Sequence, residues 1–168
     1  MSGGEAEVEV EFDGRRLFCA VEGTRALYAA LSGGAAEACG CAPCRNYAAQ
    51  RGSALPAPLG ELCARLGVDP AREVELCRLE RLAPGRHLYA VSFPFVGRLL
   101  DLATPSARDG LEAHDAGEGD AGMGPAEAGS VRFLPAPRGP LMGPAGCGLA
   151  LLELSLELAW VLEEDEVP

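Results

Sequence analysis

Three thiols stand within six residues of one another in the stretch Cys39-Gly40-Cys41-Ala42-Pro43-Cys44, and thiolate chemistry is the most concentrated reactivity the chain offers. Thiolates are soft donors, and a structural Zn2+ site takes four Cys or His ligands, so Cys39, Cys41 and Cys44 would supply three of them. Cys19, Cys77, Cys147, His87, His114 or a water could complete the set, and spacing does not choose among them. The C-x-x-C formed by Cys41 and Cys44 also allows a redox reading. Pro43 fits the first turn of a helix, where the helix N-terminus and Arg45 would favour a thiolate. No buried strand feeds the motif and no βαβ pattern surrounds it, which counts against a thioredoxin-like enzyme. The plainest alternative is that the three are small apolar side chains packed beneath a loop.

The other candidate groups are scattered. His87 shares an alternating face with Tyr89, and His114 falls in a Gly/Ala/Asp-rich stretch; neither has a nearby partner in the sequence that would make it a base. Cys19, Cys63, Cys77 and Cys147 lie in or beside apolar patterns and read as structural. Gly117-Glu118-Gly119 and Gly143-Pro144-Ala145-Gly146 lack the strand-to-helix context of a phosphate loop, and neither a hydrolase elbow nor a helical zinc-protease motif is present.

The elements that must position the thiols can be read from periodicity. Val8, Val10 and Phe12 alternate with Glu9 and Glu11, and Asp13-Gly14 is a tight-turn signal leading into Arg16 to Val21, so a β-hairpin is expected. A short helix should run from Pro43 through Tyr47 to Gln50 and end by Gly52 and Pro56. A second carries Leu59, Leu62, Cys63 and Leu66 at helical spacing, with Gly67 as its cap. Glu73 to Arg81 and His87 to Val96 read as strands, with Pro94 arguing for an edge or an irregular point. A short strand is expected around Val131 to Leu134. At the end Leu152, Leu154, Leu156, Leu158, Trp160 and Leu162 alternate with Glu153, Ser155, Glu157 and Glu163. That two-residue period predicts a strand despite the helix propensity of leucine.

The cysteine stretch, extended to Arg45-Asn46-Tyr47, resembles the C-x-C-x-x-C-[RK]-N-[FY] signature of an uncharacterised family of small bacterial proteins. The resemblance continues in patches through Leu66-Gly67-Val68-Asp69-Pro70, His87-Leu88-Tyr89, Phe95-Val96-Gly97-Arg98 and Leu158-Ala159-Trp160-Val161-Leu162. It implies a shared fold, and the family brings no established activity with it. Relatives tend to carry proline before the late tryptophan, where this chain has Ala159.

Length and composition bound the rest. At 168 residues, with hydrophobic residues at 48%, the chain suits one folded core. A net charge of −11 repels phosphate backbones and anionic lipid, so nucleic acid and membrane surfaces are poor partners. No apolar run is long enough to span a bilayer and the N-terminus lacks a signal-peptide pattern, so a cytoplasmic location is expected, with seven cysteines as thiols or ligands rather than disulfides. The expectation is therefore a single α+β domain over residues 1–168, mainly an antiparallel β sheet or sandwich with two short helices, and a flexible insertion over 104–130. Its expected function is a non-catalytic binding or interaction module with a protein partner, stabilised by Zn2+ at Cys39, Cys41 and Cys44. The alternative is a thiol-disulfide or metal-dependent enzyme using the same cluster; the oligomeric state has no signature.

Overall fold

The computed structural model describes residues 6–100, 128–135 and 148–166. The hairpin forms as its pattern requires: β1 (Glu7–Phe12) and β2 (Arg15–Ala20) pair antiparallel around Asp13-Gly14, both with positive φ, the turn whose twist matches that of the flanking strands. Two helices follow that the alternation does not announce, α1 (Val21–Ala30) and the short α2 (Ala35–Cys39). α3 (Ala42–Ala54) and α4 (Ala57–Leu66) are the two expected ones. α3 runs through Gly52, because a glycine inside a helix costs only about 1 kcal/mol relative to alanine and does not stop it. α4 turns Leu59, Leu62, Cys63 and Leu66 inward and is capped by Gly67.

The second half is a set of strands organised on β4 (Arg86–Leu99). β6 (Leu149–Ala159) pairs with β4 from Arg86↔Ala159 to Val96↔Leu149, and β5 (Val131–Pro135) lies outside β6. On its other side β4 has two partners in succession: β3 (Glu75–Ala83) along its first half, then β2 at Leu17↔Leu99 and Cys19↔Gly97. All pairs are antiparallel, so the α+β expectation holds, and the order β1-β2-β4-β6-β5 with β3 on β4 is a sheet rather than a sandwich. β4 is thus an interior strand, and the expectation of an edge at Pro94 is corrected. The proline is tolerated because it sits where β4 has left β3 and not yet met β2. There the Ser92 carbonyl accepts from Val74 N–H, the Pro94 carbonyl accepts from Tyr28 Oη and Val96 N–H donates to Thr24 Oγ1. The missing proline N–H would have pointed into that gap, so no sheet bond is lost.

Side chains alternate as the register dictates. Tyr89, Val91 and Phe93 of β4 stand opposite Leu156, Leu154 and Leu152 of β6 on one face. Tyr28, Tyr47, Leu59, Leu62, Cys63 and Leu66 from the helices complete the same core. The leucine stripe is therefore buried from Leu152 to Leu158. The strand stops at Ala159, short of the expected Trp160 and Leu162, for a reason given below. Gly97 allows the closest crossing: a Cβ there would lie 2.2 Å from the Phe18 carbonyl oxygen. Of the expected insertion, residues 104–127 lie outside the described residues. Gly129 and Ser130 are tied to β6, their backbones bonded to Ser155 at 2.7 and 3.0 Å.

Candidate metal centre

The three thiols meet at the junction of two helices. Cys39 is the last residue of α2, Gly40 turns the chain with φ 65°, Cys41 is the N-cap of α3, and Cys44 falls one turn into α3. Gly40 is required here because a β-carbon is disfavoured in the left-handed conformation that lets α2 stop and α3 start within two residues. Pro43, in the first turn, loses no helical bond. The Sγ atoms of Cys39, Cys41 and Cys44 consequently all lie within 4.8 Å of one another, and the group could hold a metal ion. Cys44 is buried, while Cys39 and Cys41 are exposed.

The far ends of the two helices are fixed by a buried carboxylate. Glu73 Oε1 accepts from Ala36 N–H at 2.9 Å and from Arg51 Nη2 at 3.2 Å; the same Arg51 nitrogen donates to Glu37 Oε1 at 2.7 Å. Arg51 also donates to the Ala71 carbonyl and covers the Tyr47 ring. Glu73 is almost fully buried, so its charge is tolerable only with such partners, and the pair locks α2 against α3.

The near end of α3 is fixed by the residues that follow the thiols. Asn46, fully buried, donates from Nδ2 to Tyr89 Oη and the Ala159 carbonyl and accepts at Oδ1 from Val161 N–H. Gln50 donates to the same Ala159 carbonyl at 2.8 Å, and Arg45 pairs with Glu164 at 2.7 Å. These bonds take the groups on the outer edge of β6, beyond the reach of β5, while Trp160 N–H still donates to the Gly85 carbonyl; the strand ends at Ala159 because its partner β4 begins only at Arg86, after the Gly85 turn. Tyr89 Oη in turn donates to the Pro43 carbonyl inside the cysteine loop. Trp160 is half-buried, its ring tilted by 48° against His87 with centroids 5.3 Å apart.

The thiols are electrostatically unequal. The Cys41 backbone N–H, followed by the Cys41 and Cys44 thiols, holds the Cys39 thiol below its ordinary value of 9.0. Burial, with the neighbouring Cys41 and Cys39 sulfurs, pushes Cys44 up to about 12. Cys39 thus carries a negative charge more readily than Cys44.

None of the proposed fourth donors joins the group among the described residues. Cys19 is buried near Thr24 and bonds to the Leu66 carbonyl, and His87 is buried with Nε2 2.7 Å from Glu166 and Nδ1 facing Arg78. Cys147 and His114 lie outside the described residues. Cys77, expected to be structural, is exposed: its partner Ala90 is an even-numbered β4 residue, so both stand on the sheet face away from the core. Cys77 and Cys39 line the same cleft, of about 500 Å3.

Glu73 and Arg51 are positioning residues that sequence reasoning missed, and Asn46, read there as part of the cysteine motif, has partners far along the chain that the motif did not reveal. Asn46 had a usable signal, since it is the single asparagine in the chain. Comparison of the chain with protein-family models, curated sequences and solved structures finds no match in any of the three. The family resemblance rests on the cysteine motif and the sequence patches that accompany it. No described helix is long and apolar enough to cross a membrane.

Proposed function

We propose that the domain is a non-catalytic binding module that holds a Zn2+-class cation at Cys39, Cys41 and Cys44. The observation that carries this is the convergence of the three sulfurs within 4.8 Å. Zn–S bonds of about 2.3 Å place the sulfurs of a tetrahedral site roughly 3.8 Å apart, so a small rotation of the exposed thiols suffices. Two fixed helix ends supply the preorganisation, and the fourth position is left for a solvent molecule or an incoming ligand. A protein partner in a reducing cytoplasm suits a site of exposed thiols, and the acidic net charge disfavours nucleic acid.

Anaerobic titration of the reduced protein with Zn2+ against a colorimetric chelator tests the reading. One equivalent should bind tightly to the wild type and to Cys77→Ser, and only weakly to Cys44→Ser. No competition with the chelator by the wild type would sink it.

A second reading, thiol–disulfide exchange, is favoured by the exposure and lowered pKa of Cys39. Cys39 would attack a substrate disulfide, expelling one substrate thiolate, and Cys41 would then displace the second to leave a Cys39–Cys41 disulfide. Reduction of one equivalent of a model disulfide by the reduced, metal-free protein, with a Cys39–Cys41 disulfide found afterwards and both lost in Cys39→Ser, separates this from metal binding.

A further inference from the structure

Resting on the metal reading above, we infer that the cleft between Cys39 and Cys77 is a binding site for a small zwitterionic aminothiol, a molecule of cysteine type, whose sulfur takes the open position on the metal. Cys39 belongs both to the sulfur group and to the wall of this cleft. A cation held by Cys39 therefore borders the space, and its ligand can arrive through it.

The chemistry of the cleft defines the ligand. Three thiolates select a soft cation, and a fourth soft donor, a thiolate, completes its preferred shell. The volume, about 500 Å3, accommodates a molecule between a single amino acid and a short peptide in size. Leu76 and Leu79 supply apolar wall. Arg132 and Glu153, paired at 3.2 Å across β5 and β6, present both charges at one place, and Glu75 adds a second carboxylate. A ligand carrying its own carboxylate and ammonium can join that pair, the carboxylate toward Arg132 and the ammonium toward Glu153 and Glu75, adding charge-assisted contacts that a neutral thiol cannot make. The exposed Cys77 thiol is part of the wall and is not needed for the metal.

Co2+ serves as the spectroscopic probe, because its visible absorption reports the donors around it. The full chain loaded with Co2+ should change its spectrum on titration with L-cysteine, saturating at one equivalent, and should show no change with L-serine. L-Cysteine should bind tighter than 2-mercaptoethanol by about tenfold, the effect of one charge-assisted contact. Arg132→Gln should remove that preference, and Leu79→Trp should weaken both thiols by filling the cleft; thermal melts and unchanged Co2+ affinity confirm that each variant is folded. The proposal is overturned if L-cysteine leaves the spectrum unchanged, if it binds no better than 2-mercaptoethanol, or if it strips the Co2+ into the ultrafiltrate. Failure of Co2+ to bind at all would overturn the metal reading as well, whereas normal Co2+ binding without a cysteine response overturns this inference alone.

Discussion

The Val161 N–H donates a 2.8 Å hydrogen bond to the Asn46 side-chain oxygen, joining the residue two positions after Cys44 to the segment that follows the last strand. This bond, with the Asn46 donation to the Ala159 carbonyl, converts the end of β6 into a strap across the start of α3. Replacing Asn46 with alanine leaves the part-buried Val161 N–H without its side-chain acceptor and removes two further bonds from a fully buried side chain. We expect a loss on the order of 2 to 4 kcal/mol. Urea melts followed by the single tryptophan, Trp160, measure it directly.

The leucine stripe offers a second test. Leu156 is 3% exposed and sits opposite Tyr89 in the core, so Leu156→Ala should cost roughly 2 to 5 kcal/mol. Glu157 faces the other side and pairs with Arg86 at the surface. Glu157→Ala should change stability by less than about 1 kcal/mol. Equal midpoints for the two variants would contradict the assigned face.

Alkylation should separate the cysteines by exposure. In the native, metal-free protein Cys39, Cys41 and Cys77 should react with iodoacetamide, while Cys19 and Cys63 remain unlabelled until the chain is denatured. Added Zn2+ should protect Cys39 and Cys41 and leave Cys77 reactive. Peptide mass spectrometry reads each site, and protection of Cys77 alongside the others would place it in the metal shell.

The strap is also acid-sensitive through Glu166. Partial burial alone would raise its pKa, but the Gly85 N–H, Arg81 and His87 outweigh that and hold it below the ordinary 4.5. A carboxylate whose folded value is depressed stabilises the fold fully above its unfolded value, and that contribution fades as the pH falls through the lowered one. Trp160, whose ring lies against His87, should therefore change its emission below about pH 4.5. Glu166→Gln should abolish that acid step, and a wild-type profile in the variant would assign the step elsewhere.

Much of the architecture was legible because local pattern and tertiary role agree. Asp13-Gly14 specifies its turn, Leu59, Leu62 and Leu66 specify α4, and the alternation from Leu152 to Leu158 specifies β6. The spacing of Cys39, Cys41 and Cys44 located the candidate site. What escaped depends on contacts between distant residues. α1 follows β2 without a break, and its packing is set by Thr24, which bonds the Ala20 carbonyl and accepts from Val96. α2 is five residues, mostly alanine, whose N-terminus is satisfied by Glu73, 37 positions away from Ala36. The end of β6 at Ala159 was misread because period alone carried the pattern to Leu162, while its partner β4 begins only at Arg86, after the Gly85 turn. Pro94 was read as marking an edge or an irregular point, and the irregular point is what it marks, though nothing in the sequence reveals that β4 changes partner beside it.

That change of partner bears on how the chain is made. β4 must recruit β2 from before it and β6 from after it, and β6 begins some 50 residues downstream of the end of β4. At ordinary elongation rates of about 5 to 20 residues per second, a newly synthesised β4 waits on the order of several seconds for its longest partner. During that interval the edge that β6 will cover has no pairing strand, and the aromatic and valine side chains of β4 lack half of their sheet. Nascent chains stalled between β4 and β6 should therefore be the species most prone to aggregate and most dependent on chaperones.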